Sequence, residues 1–200
     1  MGQRLVITIE KNEEAIAAIY YHWSAYTYSA LQETKDVIDC IYNHREETQD
    51  EILLRLIKCI EKNGGGIRAT IEEFNYIKSL YPNEKFKTEN YDRCNGLIAL
   101  SKQGIADLQS WSEGDVFIDL DADQVDFCVY SRYESIEEYI EERKSWDDEF
   151  DEEEFKNIPK LDCCLGCFDV NDIDSIIAQL DSVGNYGVIQ CGDEICELIE

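Results

Sequence analysis

At 200 residues and 23.2 kDa the chain has room for one ordinary domain or two small ones, and its 53 Ile, Leu, Val and Phe residues are enough to fold it. Its 44 acidic against 18 basic residues leave a net charge of −26 and a sequence pI near 4.2. Such a surface repels phosphates, which excludes sequence-independent binding to nucleic acid and to anionic membranes and points to a cationic partner.

The first half reads as α+β. Leu5, Ile7 and Ile9 alternate with Val6, Thr8 and Glu10. A polar turn at Lys11, Asn12 and Glu13 leads to a second β-rich run over residues 16–26, so the two runs predict a hairpin. From Ser29 the period becomes helical, with Leu31, Val37, Ile38 and Ile41 in register. A second helix is predicted over residues 48–62 on Ile52, Leu53, Leu56, Ile57 and Ile60, stopped by Asn63 and the glycines 64–66. A third covers residues 70–80, ahead of Pro82. The polar stretch 81–93 marks a boundary between subdomains 1–92 and 93–200, unless the chain is one continuous domain.

The second half is predicted as an acidic α+β unit. Residues 1–100 carry 16 acidic and 12 basic side chains, a net of −4; residues 101–200 carry 28 and 6, a net of −22. A helix over 101–111 precedes a second hairpin, formed by 116–118 and 125–130. A helix follows over 135–144, with Ser135 and Glu138 as a capping box, and the chain closes with strand 161–170, helix 171–180 and strand 187–190, a β-α-β end.

Twelve of the 21 residues from 134 to 154 are acidic: Glu134, Glu137, Glu138, Glu141, Glu142, Asp147, Asp148, Glu149, Asp151, Glu152, Glu153 and Glu154. Ile136, Tyr139, Ile140, Trp146, Phe150 and Phe155 interrupt them at spacings that can dock onto a core. Carboxylates four apart on an anchored helix lie about 6 Å apart along its axis, close to the separation of successive phosphates on one strand. The run therefore reads either as a solvated face or as a partner-binding surface with Trp146 as an anchor.

Other constellations have plainer readings beside sharper ones. Asp119 and Asp121 resemble the DxD strand end of haloacid-dehalogenase-type phosphatases, but Ala122 and Asp123 follow where that motif wants Gly and Thr or Val. As a calcium loop, Asp119, Asp121 and Asp123 fit, while Gln124 and Tyr130 stand where Gly and Glu are needed. A hairpin turn accounts for all of them. Cys164, Cys167, Cys191 and Cys196 offer a permissive spacing for a structural zinc, against buried inert thiols. Extended as a strand, residues 20–28 place Tyr20, His22, Ser24, Tyr26 and Tyr28 on one face, a candidate ligand wall that could stack a nucleotide. No apolar stretch reaches the ~20 residues of a membrane span, no signal-peptide pattern precedes Leu5, and nine scattered cysteines read as reduced cytoplasmic thiols.

The string from Arg4 to Ile9 and on to Tyr20, Tyr21, His22, Trp23, Ser24, Ala25, Tyr26 and Thr27 resembles the start of small uncharacterised acidic proteins carried by phages and prophages of Gram-positive bacteria. In kind the chain is similar to phage anti-defence proteins, including anti-CRISPR inhibitors. That likeness implies a cytoplasmic, nucleic-acid-mimicking inhibitor of a host defence nuclease such as a CRISPR effector, with no catalytic residue and no cofactor. A nucleotide-binding sponge built on the aromatic wall is the alternative, and a metal-dependent hydrolase using Asp119 and Asp121 is the third reading.

Overall fold

The computed structural model describes residues 3–89, 96–129, 132–146, 158–161, 165–183, 188–192 and 194–197. Every side chain from Leu5 to Ile9 is fully buried, so the first strand is covered on both faces. This strand, β1 (Leu5–Lys11), pairs antiparallel with β2 (Glu14–Tyr21) and parallel with β6 (Gly114–Asp119) from the other half of the chain. Asn12 and Glu13 turn the hairpin with φ of 54° and 60°, the left-handed pair that tight two-residue hairpin loops use.

Beyond β2 the sheet continues through β5 (Leu97–Ala99), β3 (Gly66–Arg68) and β4 (Thr88–Glu89). Beyond β6 it continues through β7 (Gln124–Cys128) and β10 (Cys167–Asp169). Its order is β10-β7-β6-β1-β2-β5-β3-β4, which takes strands from both sides of residue 92. A smaller sheet runs β8 (Arg132–Tyr133), β12 (Glu194–Glu197), β11 (Val188–Cys191), β9 (Lys160–Leu161). The fold is therefore α+β, with the N-terminal hairpin, the second hairpin β6-β7 and, as the β-α-β end, a parallel pair of β9 and β11 joined through a helix.

One side of the large sheet carries the main core. Leu5, Ile7, Ile9, Val116 and Val125 face α1 (Thr27–Ile41), α2 (Gln49–Lys62) and α6 (Ile173–Val183). On the opposite side α4 (Lys102–Gln109) lays Ile105 and Leu108 over Val6, Ala18, Tyr20, Leu97 and Ala99. That cover lies on β2, β1 and β5. On the same side of β6, β7 and β10 the side chains are exposed or half-buried.

The helix limits follow local chemistry. Thr48 caps α2 through a capping box with Glu51, and Gly64 at φ 97° follows its C-cap, Asn63. Ser101 caps α4 by accepting from the Gly104 amide at 2.9 Å. Ser135 accepts from the Glu138 amide at 3.1 Å, but the Glu138 carboxylate reaches the Glu134 amide, at 2.7 Å, so the expected reciprocal box is displaced by one residue.

Four expectations are corrected. The second strand ends at Tyr21 rather than at residue 26, because Trp23 takes a φ of 66° and Tyr26 is already the N-cap of α1. That helix accordingly begins at Thr27 and not at Ser29. Residues 161–170 do not form one strand: β9 belongs to the small sheet and β10 to the edge of the large one. Not all thiols are reduced, since Cys40 of α1 and Cys59 of α2 form a disulfide that closes a separation of 19 residues, the kind of tie that stabilises by about 3 kcal/mol. No described helix is long and apolar enough to cross a membrane.

A buried carboxylate holds the first turn of α3 (Ile71–Leu80) to the start of α4. Glu73 is almost fully buried, and its carboxylate accepts from the Leu100 amide at 2.6 Å, the Ser101 amide at 3.1 Å and the Ser101 hydroxyl. A negative charge there satisfies amides ahead of a helix and sits at the positive end of its dipole. A Cβ on Gly104 would collide with that carboxylate and with Ala99. Glu73→Ala is expected to cost about 2–3 kcal/mol in urea denaturation, more than Glu73→Gln, which keeps an acceptor oxygen.

Glu33 of α1 is a carboxyl at odds with its surroundings. Burial, then the Asp36 charge, pushes it up to about 7 from the usual 4.5. The folded chain therefore holds this proton more tightly than the unfolded one does. Its contribution to stability is complete below pH 4.5 and is lost as pH rises through about 7. Glu33→Gln is expected to raise stability above pH 7 by something on the order of 2 kcal/mol, with the gain vanishing toward pH 4.5 in melts across that range.

Candidate functional site

The acidic run begins on α5 (Ile136–Trp146). Its sequence suits both ends of a helix, with Glu137 and Glu138 in the first turn and Arg143 and Lys144 in the last. One face is anchored. Tyr139 is 2% exposed and packs with Val188 and Ile195 of the small sheet, with Ile136, Ile140 and Tyr133 around them. The Tyr133 and Tyr139 rings meet edge to face at 5.1 Å, and the Arg143 guanidinium lies 5.6 Å from the Tyr139 ring centre.

The outward side carries four carboxylates, followed in the last turn by the exposed Lys144 and Ser145. Glu137, Glu138, Glu141 and Glu142 are exposed, and the pairs 137/141 and 138/142 repeat at about 6 Å along the axis. Like charges at this spacing oppose the helix by about 0.2–0.5 kcal/mol per pair, so the anchor on the small sheet has to hold the helix against them. Glu134 is exposed just ahead of the helix, and Trp146 at its end is 80% exposed. Asp147, Asp148, Glu149, Asp151, Glu152, Glu153 and Glu154 lie outside the described residues.

The aromatic wall expected on one strand face does not form as such. Tyr20 and His22 do meet, with the Tyr20 hydroxyl 2.7 Å from His22 Nδ1. Tyr26 sits at the N-cap of α1, and Tyr28, on that helix, donates to Asp181 at 2.7 Å. Tyr20 is wholly buried, its ring edge-on to Trp111 at 5.9 Å. Arg68 stacks 4.9 Å from the Trp111 ring and pairs with Asp107 at 2.7 Å. Sequence spacing missed Trp111, since a contact between residues so far apart in the chain leaves no local signal.

The aspartate constellation resolves into local roles. Asp119 Oδ1 accepts from the amides of Asp121 at 2.8 Å and Ala122 at 3.0 Å, which ties the turn between β6 and β7. Asp121 accepts from the Asn12 amide, and Asp123, at φ 54°, pairs with Arg45 at 3.0 Å. Gln124 begins β7, and Tyr130 lies outside the described residues. Cys191 and Cys196 are buried in the small sheet, whereas Cys167 is exposed on the edge of the large one. Cys164 lies outside the described residues. Among the described residues no group of three or more His, Cys, Asp or Glu side chains is placed to hold a metal ion.

Family models, curated proteins and solved structures were each compared with this chain, and none matches it. The anchor of α5 can be checked directly. Tyr139→Ala is expected to cost about 3–5 kcal/mol in denaturant unfolding, by opening a cavity on the small sheet. Gln at positions 137, 138, 141 and 142 is expected to change stability by less than about 1 kcal/mol, since the relieved repulsion offsets the lost first-turn charges and helix propensity is kept.

Proposed function

We propose that this chain is an acidic inhibitor protein of the phage anti-defence type, acting in the host cytoplasm by occupying the cationic nucleic-acid groove of a defence nuclease such as a CRISPR effector. The observation that carries this reading is α5: four exposed glutamates on a helix whose opposite face is locked to a sheet. Anchoring matters because a fixed array of charges loses less freedom on binding than a flexible acidic tail. Opposed fields speed encounter and exclude partners of the wrong sign, while an exposed aromatic such as Trp146 supplies a desolvated anchor. A role without chemistry of its own is supported by Asp119 and Asp121, whose carboxylates serve backbone amides of the turns.

DNA cleavage by a guide-loaded CRISPR nuclease, titrated with the purified chain, tests the proposal. Inhibition is expected to weaken at least tenfold when Glu137, Glu138, Glu141 and Glu142 are replaced together by Gln, with little change in melting temperature. The association rate is expected to fall steeply from 0.1 M to 1 M salt, as the Debye length contracts from about 10 Å to about 3 Å. Unchanged inhibition by the fourfold variant, or an association rate flat in salt, would remove the electrostatic reading.

A further inference from the structure

The large sheet is covered unevenly, and its bare part has a consistent chemistry. Pairing places Val6, Asp115 and Cys128 in one row, Thr8, Phe117, Asp126 and Cys167 in the next, and Glu10, Asp119, Gln124 and Asp169 in the third. Paired residues point to the same side, and this is the side that α4 covers over β1 and β2. Past β1 that cover is gone: Asp126, Cys128, Cys167 and Asp169 are exposed, and Asp115, Phe117 and Asp119 are half-buried. Among the described residues, three strands thus present a sheet face that no helix covers, with a phenylalanine in its middle row.

The charges on that face have one sign. Glu10, Asp115, Asp119, Asp126 and Asp169 occupy it, and no Lys or Arg stands at any of the paired positions. Strands separate them by about 4.8 Å and alternate residues by about 6.7 Å. Most of these carboxylates are already oriented: Gln124 donates to Asp126 at 2.8 Å, Asn171 donates to Asp169 through its amide, and Asp119 is held by its turn. The crowding is felt by Glu10, whose carboxyl is pushed up by burial and then by the charges of Asp119 and Asp126. A cation laid across the face relieves that repulsion.

We propose that the open side of β6, β7 and β10 docks a Lys- and Arg-rich polypeptide surface. Charge complementarity selects the occupant: phosphate-bearing partners are repelled, and an apolar partner would take these five carboxylates out of water with no cation at the paired positions to compensate them. Phe117 supplies a ring against which a guanidinium or an aliphatic stem can lie. An extended basic segment repeats its own side chains at the ~6.7 Å interval of the acidic rows. This deepens the inhibitor reading, which rests on α5, by adding a second and separate surface for the same sign of partner.

Carboxyfluorescein-labelled octa-arginine, titrated into the full chain by fluorescence anisotropy, tests the assignment. Alkylation of the exposed Cys128, followed by peptide mass mapping, reports occupancy of this face. Expected is a slowing of Cys128 alkylation at least fivefold at saturating peptide, and a tenfold or greater rise in Kd when Asp115, Asp126 and Asp169 become Asn. Should that triple variant fail to fold, Asp126→Lys, at an exposed side chain, is expected to weaken binding at least threefold. Cys128 alkylated equally fast with and without peptide, or sheet variants that bind within twofold of the parent, overturns the proposal. If at the same time the fourfold Gln variant of α5 loses binding, the peptide belongs to the helix and the inhibitor reading stands without this surface. A defect confined to the sheet variants, with the α5 variant binding normally, supports the sheet face and removes the helix from recognition.

Discussion

The double pairing of β1 is the constraint on which the rest of the molecule depends. A strand buried on both faces must be hydrogen-bonded on both edges, since a buried unpaired amide costs about as much as a lost hydrogen bond. β2 satisfies one edge within a hairpin, and β6 satisfies the other only after the chain has built α1, α2, α3 and α4. That parallel pairing joins the nearly neutral half to the acidic half. It also decides where the acidic hairpin β6-β7 sits, at the flank of the sheet beyond the reach of α4.

Charge is handled differently in the two halves. In the first, cations are matched with near neighbours or bridging partners: Arg4 with Glu113, Arg55 with Glu47, Lys58 with Glu84, and Arg68 with Asp107, all within 3.0 Å. Pairs near the surface such as Arg55–Glu47 and Lys58–Glu84 contribute little stability, but they quench the local field. Among the described residues of the second half, two groups of carboxylates stand on packed platforms, the outer face of α5 and the open side of β6, β7 and β10. Both platforms are fixed by packing on their far side, Tyr139 against the small sheet and Val116, Val125 and Phe168 in the main core. Like charges are held in place there by apolar contacts that outweigh their mutual repulsion.

Where local chemistry governs, the sequence was legible. The hairpin turn at Asn12 and Glu13, the α2 cap at Thr48 and stop at Gly64, and the β6-β7 hairpin all follow from neighbours within five residues. The stripe of exposed glutamates on α5 was legible for the same reason, since the helical period alone separates it from Ile136, Tyr139 and Ile140. Legibility failed where strands are too short for a period to show. β3 and β5 are three residues each and wholly or largely buried, so they carry no alternation. The aromatic run 20–28 misled because its composition favours a strand while Trp23 leaves the β region.

The sequence by itself determined the charge and its asymmetry, the α+β class, the amphipathic acidic helix and the turn chemistry of Asp119. These depend on composition and on periods of two or 3.6 residues, which need no knowledge of distant partners. Only the tertiary structure decided that residues 161–169 step from one sheet to the other, and that Cys40 faces Cys59. It also decided which part of the large sheet lies bare. A strand pattern says that Asp115, Phe117 and Asp119 share a face, but whether a helix lies on that face depends on where α4 docks. That docking is set by Glu73 at its N-terminus and by the small residues Ala18 and Ala99 beneath it, contacts between segments far apart in the chain.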